Sequence, residues 1–162
     1  MFKITLGIQR LPMLFDMFNH RSNNKLNNNE YVILDRSLEE DKEIFAEYFH
    51  NIGDIDERSF QTYNFISNYF LKVIPPPSII VNCTCDFATI CTRLKHREKE
   101  FDKYFPSNFL ESIYASYENW IPNIDKQKIL NIDSKHTNFL HHDTVSEISK
   151  QISNLLNNNL IT

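Results

Sequence analysis

The sequence predicts an α/β fold in which short parallel strands alternate with helices. Three apolar segments, at residues 31–34, 78–83 and 128–132, have strand length and are separated by stretches in which apolar side chains recur at helical spacing. Strands separated by helices pair in parallel, because each helix carries the chain back across the sheet. The 162 residues, 41% hydrophobic and 23% charged, suit a single globular domain over residues 1–162.

The first third of the chain is predicted to hold a helix, a polar loop and a strand. Apolar residues recur near helical spacing over residues 4–18, and Pro12 should kink that helix. Residues 21–30 are polar and asparagine-rich, so they are interpreted as a loop. Residues 31–34 are all apolar, which is typical of a strand buried on both faces of a parallel sheet.

Two helices are expected next. Ser37 can cap the first, whose opening turn carries Glu39, Glu40 and Asp41 where carboxylates suit the helix dipole, and which should end near Gly53. The second should begin at Asp56 and run to Val73, before the proline run at 75–77.

The rest of the chain repeats the alternation of strand and helix. A second buried strand is predicted at residues 78–83, helices at 86–97 and 106–120, a strand at 128–132 and a closing helix at 145–156. Ligands of open α/β sheets bind at the carboxyl ends of the strands, so charged residues at those ends are the candidate site.

Composition excludes several classes of function. A net charge of −4 and a pI near 5.8 argue against DNA or RNA as a partner. No apolar run of 18 residues and no secretory signal is present, so a cytoplasmic protein without a membrane partner is expected. Cys83, Cys85 and Cys91 are expected to be free thiols; zinc would need a second pair of Cys or His at ligand spacing, which the sequence lacks.

The first candidate site is Asp35-Arg36-Ser37, with Asp41 one helical turn beyond it. An arginine at the end of a strand offers a fixed fork of donors to an anionic oxygen. The alternative is that Arg36 pairs with Asp35 or Glu39, and spacing alone leaves both interpretations open.

Three further segments carry residues of chemical interest. Arg93 and Arg97 lie four residues apart and can converge on one polyphosphate, although a solvated helix end with pairs such as Arg97 with Glu100 remains the alternative. Gln9 can read the edge of a nucleobase or simply face solvent. The sequence His-His-Asp at 141–143 lacks further partners at useful spacing, so no metal site is predicted.

Taken in order, these segments resemble the deoxyribonucleoside kinase family, which includes deoxycytidine, deoxyguanosine and deoxyadenosine kinases. The resemblance covers roughly residues 6–133. Its most specific part, at residues 35–46, is similar to the family motif D/E-R-S-x-x-x-D-x-x-x-F-A. Arg93-Leu94-x-x-Arg97 is similar to the lid motif R-I-x-x-R-x-R, and Tyr117-Glu118-x-Trp120 is similar to the pattern that closes the following helix.

The resemblance implies a three-layer P-loop-kinase-like fold, a parallel sheet with helices on both faces. It implies transfer of the ATP γ-phosphoryl group to the 5'-hydroxyl of a deoxyribonucleoside, with Mg, in nucleotide salvage. It also implies a homodimer through helices, with the aromatic helix at residues 60–70 as the candidate interface. Packing in the core is the alternative for that helix.

The resemblance also assigns roles to nucleoside-binding residues. Arg36 would hold the 5'-oxygen, Gln9 would read the base edge and Asp41 would shape the base pocket. Glu100 or Asp102, the two acids that follow the lid motif, would bind the 3'-hydroxyl of the sugar. The implied substrate-binding residues are Gln9, Asp35, Arg36, Asp41, Glu100 and Asp102.

The phosphate-binding residues follow from the lid motif. Arg93 and Arg97 would close on the phosphates, so that Arg36, Arg93 and Arg97 are the expected catalytic residues. Lys99 occupies the position of a third lid arginine, where it keeps the charge but lacks the bidentate fork.

The sequence departs from the family at its amino terminus. With only Gly7 and Gly53 in the chain, no G-x-x-x-x-G-K-[ST] loop can form, and the strand that carries the general-base carboxylate has no match. The family places the phosphate-loop strand between the strands that match residues 31–34 and 78–83. An N-terminally incomplete fold is therefore expected, with an incomplete ATP site and phosphoryl transfer lost or strongly impaired in this chain alone. The alternative is a non-catalytic nucleoside-binding or interaction protein derived from such a kinase.

Overall fold

The computed structural model describes residues 33–74, 76–97 and 108–159. The chain divides into two compact units between Pro76 and Pro77, and each unit is described by itself. The helix expected at residues 4–18 and the loop expected at 21–30 lie outside the described residues. The expectation of a single domain over residues 1–162 stays a prediction.

The described part of the first unit contains a helix, α1, over residues 38–51. It consists of an α-helical turn Leu38–Glu40, a π-helical segment Asp41–Ala46 and an α-helical end Glu47–Asn51. The predicted cap is confirmed, because the Ser37 Oγ accepts a hydrogen bond from the Glu40 N–H at 3.1 Å. In return, the Glu40 carboxylate accepts from the Ser37 N–H at 3.2 Å, which completes a capping box.

The next described helix, α2, spans Glu57–Val73. Its predicted start is confirmed, since Asp56 Oδ1 accepts a hydrogen bond from the Ser59 N–H at 2.9 Å. The His50 ring near the end of α1 stacks on the Phe60 ring of α2, with centroids 4.1 Å apart. The buried apolar residues of α1 form the core on this side; they are Leu38, Ile44, Ala46 and Tyr48.

The described residues of the second unit form two parallel strands and three α-helices. Strand β1 (Ile80–Thr84) pairs with β2 (Ile129–Asp133) in a register that puts Thr84 opposite Asp133. Helices α3 (Phe87–Arg97) and α4 (Phe109–Trp120) lie between them in the chain, together with the 3₁₀ turns Ile121–Asn123 and Lys126–Lys128, and α5 (His142–Asn159) follows β2. Parallel strands separated by helices confirm the predicted α/β class.

Two strand predictions are wrong in detail. Of the strand expected at residues 31–34, the described residues Ile33 and Leu34 are not in a strand, and Ile33 is 94% exposed. An extended segment becomes a strand only by pairing with a neighbour, and within residues 33–74 no strand pairs with it. Strand β1 is not buried on both faces, since Val81 is 41% exposed and β2 is its one neighbour in the described sheet.

The polar residues of the sheet pair with each other across the strands. Asn82 donates a hydrogen bond from Nδ2 to Asn131 Oδ1 at 2.8 Å, between two residues in direct register. The three cysteines are free thiols, as predicted. Among the helices of the described ranges, none has both the length and the apolar character that spanning a membrane requires.

Candidate functional site

The first candidate group lies where the chain enters helix α1. Arg36 has a φ of 72°, in the left-handed region that residues other than glycine rarely adopt. Holding a non-glycine residue there costs about 1–3 kcal/mol, and such positions concentrate at functional sites. Ser37 returns at once to the extended conformation of a helix cap. The turn therefore leaves Arg36 outside the helix and exposed.

The guanidinium group of Arg36 lies over a phenyl ring. Its Cζ atom is 4.2 Å from the centroid of the Phe45 ring, within the range of a cation–π contact. In residues 33–74 Arg36 forms no ion pair, so the alternative pairing with Asp35 or Glu39 is not what the structure contains. A stacked guanidinium keeps its N–H donors in its own plane, where they can still bind an anionic oxygen.

The π-helical segment places a carboxylate inside the first unit. Asp41 begins this segment, donates its N–H to the Ser37 carbonyl at 3.1 Å and is 5% exposed. π-helical turns are rare and are frequently found at functional sites. The same helix therefore carries an exposed cation just before its cap and a buried acid one turn later.

The second candidate group lies at the carboxyl ends of β1 and β2. Ser134, the residue after β2, is buried and donates two hydrogen bonds to the Thr84 carbonyl, from N at 2.8 Å and from Oγ at 2.9 Å. Arg93 of α3 donates from Nη2 to the Ser134 carbonyl at 2.7 Å. The end of the sheet and helix α3 are thus joined through one serine.

Ion pairs surround this junction. Asp86 accepts hydrogen bonds from the N–H of Thr89, at 2.8 Å, and from its hydroxyl, at the start of α3, while Lys135 Nζ lies 2.6 Å from Asp86 Oδ2. The hydrogen bond from Lys135 lowers the pKa of Asp86 well below its usual range, and the bonds from Thr89 add to the effect. The same contact raises the pKa of Lys135.

A neighbouring pair involves Asp133 and His136. His136 Nδ1 lies 2.7 Å from Asp133 Oδ2, and this hydrogen bond lowers the pKa of Asp133. Both side chains are largely exposed. The edge of the sheet therefore carries two ionised carboxylates, each with its own cationic or imidazole partner.

The described residues include part of the predicted site. Asp35, Arg36 and Asp41 lie together at the start of α1, and Arg93 lies in the second unit on α3. The backbone of Arg97 ends α3. The remaining predicted residues lie outside the described residues; they are Gln9, Lys99, Glu100 and Asp102.

Sequence reasoning missed two contacts of these candidate residues. It used Phe45 only for its place in the motif, whereas the ring supports the Arg36 guanidinium. It did not single out Ser134, because a serine after a strand carries no signal of its own. The run of polar residues Asp-Ser-Lys-His at 133–136, directly after an apolar strand, was the available clue.

The described residues do not contain a ready metal site. In residues 33–74, 76–97 and 108–159, no three His, Cys, Asp or Glu side chains come together as metal ligands. Neither Arg36 nor Arg93 is a metal ligand by its chemistry, because guanidinium groups only donate. Both are suited to bind oxygen anions.

Comparison with known proteins gives consistent matches. A family model described as deoxynucleoside kinase matches residues 7–157. A deoxyadenosine/deoxycytidine kinase of Bacillus subtilis (strain 168) is 24% identical over 130 residues, which cover 78% of this chain and 60% of that protein. A deoxyguanosine kinase of Dictyostelium discoideum is 30% identical over 96 residues, 59% of this chain and 33% of that protein. The chain thus spans less than two thirds of the length of either relative.

Solved structures show the same fold. A deoxyadenosine kinase from M. mycoides with bound dCTP superposes with a TM-score of 0.62 at 20% identity, covering 94% of this chain and 75% of that one. The structure of deoxyadenosine kinase from M. mycoides with bound dATP gives a TM-score of 0.58 at 20% identity and covers 94% and 78%. The α/β architecture predicted from the sequence is the architecture of these kinases.

Proposed function

The chain belongs to the deoxynucleoside kinase family, and we propose that it serves the transfer of a phosphoryl group from ATP to the 5'-hydroxyl of a deoxyribonucleoside. The observation that carries the proposal is the geometry at the start of α1. The arginine of the family motif, Arg36, is held at a φ of 72° over the Phe45 ring and forms no ion pair within residues 33–74. The strained backbone holds an exposed guanidinium, and its in-plane N–H donors are suited to bind an oxygen atom of the substrate.

The nucleoside is assigned to residues around this turn. Arg36, next to Asp35, binds the 5'-oxygen, and Asp41 shapes the base pocket from its buried position in the π-helical segment. Gln9 reads the base edge through its paired donor and acceptor. Glu100 or Asp102 binds the 3'-hydroxyl.

The phosphates are assigned to the cations of the lid. Arg93 and Arg97 stabilise the negative charge of the transferring group, which is the main protein contribution to phosphoryl transfer. Lys99 adds a point charge. Arg93 has five N–H donors, and the hydrogen bond to the Ser134 carbonyl uses one of them, at Nη2. Its other donors can therefore bind a phosphate.

The donor half of the site is incomplete in these 162 residues. ATP and Mg²⁺ in this family need a glycine-rich loop, and the sequence contains no G-x-x-x-x-G-K-[ST] segment. We therefore propose that this chain alone transfers phosphate weakly or not at all, although the family to which it belongs catalyses the reaction.

An activity assay tests this proposal. The purified 162-residue chain is incubated with Mg-ATP and each of the four deoxynucleosides, and nucleoside monophosphate is quantified by chromatography. Turnover at least about a thousandfold below that of the B. subtilis relative, assayed in parallel, is expected, because losing the donor cradle removes several kcal/mol of transition-state stabilisation. Turnover comparable to that of the relative would contradict the proposed impairment.

The proposed partners are the deoxynucleoside and a second copy of the chain. Phe65 and Tyr69 of α2 are 77% and 60% exposed, so these two aromatic side chains are not packed in the core, which was the alternative for this helix. Ile66 and Val73 share their face, so the helix presents an apolar surface of the kind that marks interfaces.

A further inference from the structure

Ser134 connects three elements of the second unit. Its N–H and Oγ both bind the carbonyl of Thr84, at the end of β1, while the residue itself directly follows β2. Its own carbonyl accepts the hydrogen bond from Arg93 of α3. Because Ser134 is 7% exposed, water competes poorly for these groups, and the hydrogen bonds are correspondingly stronger.

We propose that Ser134 is a positioning residue for Arg93, which holds the guanidinium at the carboxyl end of the sheet before any phosphate is bound. The functional half of this inference rests on the proposed role of Arg93 at the phosphates. The structural half, that Ser134 orders the guanidinium, does not depend on that role.

The geometry explains how one residue can both tether and present the arginine. A guanidinium has five N–H donors in one plane, and the Ser134 carbonyl engages Nη2. A hydrogen bond from this one nitrogen restricts the orientation of the guanidinium plane, while the other N–H donors stay available. Ordering a long side chain before the ligand arrives removes part of the entropy cost of binding.

A second tie holds the same segment from outside. Lys135, the next residue, pairs with Asp86, which caps α3 through Thr89. Side chains about half exposed contribute little by such pairs. The buried Ser134 contacts are therefore expected to dominate, and Lys135 to have the smaller effect.

The first test measures the order of the Arg93 side chain in the full, ligand-free chain. The heteronuclear NOE of each arginine Nε is recorded by NMR, with Arg93 assigned from Arg93→Ala and exposed Arg58 of α2 as the internal mobile reference. Ser134→Ala keeps the carbonyl that Arg93 binds and removes only the Oγ–Thr84 hydrogen bond that helps to fix this carbonyl. Arg93 should therefore be ordered in the wild type and more mobile in Ser134→Ala. The control Ser153→Ala removes a serine hydrogen bond on α5, from Oγ to the Ser149 carbonyl, and should change nothing at Arg93. Equal mobility of Arg93 and Arg58 in the wild type would overturn the inference.

The second test separates positioning from a merely structural role. Affinity for inorganic tripolyphosphate is measured by calorimetry for the wild type, Ser134→Ala, Arg93→Ala and the double variant, each first checked for folding by circular dichroism. Ser134→Ala should weaken binding about 2- to 10-fold in the wild-type background, because loss of the buried Oγ–Thr84 hydrogen bond loosens the carbonyl to which Arg93 is bound. In the Arg93→Ala background the same change should cost less than about 2-fold. Lys135→Met is the milder second variant and should lie between the wild type and Ser134→Ala.

The outcomes of this cycle are distinct. Equal losses from Ser134→Ala in both backgrounds would overturn the positioning role, because Ser134 would then act without Arg93. Absence of tripolyphosphate binding by the wild type would refute the proposed phosphate role of Arg93. In that case the NMR comparison still decides whether Ser134 holds the guanidinium.

Discussion

At the scale of single residues, the molecule places unusual demands on Arg36. A φ of 72° is a position for glycine, yet the family motif has an arginine there. The cost is compensated by the cap at Ser37 and by the Phe45 ring, and the result is a guanidinium fixed outside the helix. A residue that costs stability in this way is expected to be retained for what its side chain binds.

The left-handed backbone of Arg36 predicts that glycine at this position gives a more stable protein than alanine, the reverse of the usual order. Arg36→Gly relieves the backbone strain, whereas Arg36→Ala does not, so the glycine variant should be more stable than the alanine variant by about 1 kcal/mol. Both should lose deoxynucleoside affinity alike. Urea unfolding at neutral pH measures the difference. Higher stability of Arg36→Ala would show that residue 36 does not occupy the left-handed region in solution.

At the scale of secondary-structure elements, local chemistry determines where helices begin. Ser37 and Asp56 cap their helices as predicted, and α2 ends at Val73 as predicted, because caps and helix stops work through neighbours only a few residues away. The π-helical segment at Asp41–Ala46 and the coil at Ile33 were not predictable in this way. They depend on packing and on strand partners that lie far away in the sequence.

The candidate site likewise has a part that local sequence predicts and a part that depends on contacts between distant residues. The motif around Arg36 and Asp41 was identified from its spacing, and the structure describes these residues at the start of one helix. The tie between Arg93 and Ser134 joins residues 41 positions apart, and that between Ser134 and Thr84 spans 50. No local pattern encodes such contacts, so they required the fold.

The cap of α3 provides a prediction on pH. The pKa of Asp86 is lowered in the folded state by Lys135 and Thr89, so its stabilising contribution is present above the ordinary carboxyl pKa of about 4 and is lost as the pH falls through the lower folded pKa. Asp86→Ala should lower the Tm of the second unit by a few degrees at pH 7, and Asp86→Asn, which keeps an acceptor, by less.

Thermal unfolding at pH 7 and about pH 2 checks this sign. The difference in Tm between the wild type and Asp86→Asn should be smaller at about pH 2 than at pH 7. The control Asp125→Asn changes another cap, on the 3₁₀ turn Lys126–Lys128, where Asp125 has no lysine partner among the described ion pairs. A gap that widens in acid would contradict the assigned direction of the pKa shift.

At the scale of the whole molecule, the exposed face of α2 is expected to be covered by a second copy of the chain. Phe65→Ser combined with Tyr69→Ser removes two large apolar side chains from this face. The wild type should sediment as a dimer and the double variant as a monomer with unchanged helix content, because interface affinity is concentrated in a few aromatic residues. Leu140→Ser, at a residue 95% exposed in the second unit, is the control and should remain dimeric. A monomeric wild type at all concentrations would contradict the proposal.

The most direct measurement of the central claim is calorimetric titration of the 162-residue chain with each of the four deoxynucleosides, without ATP. The claim is that this chain carries the nucleoside half of a kinase site, with Arg36 and Asp41 in it. At least one deoxynucleoside should bind the wild type. Arg36→Ala should weaken that binding at least about 10-fold, as expected for the loss of a charged hydrogen bond, and Asp41→Ala, which changes the shape of the base pocket, should weaken it as well. A folded wild-type chain that binds none of the four, or binding that both substitutions leave unchanged, would contradict it.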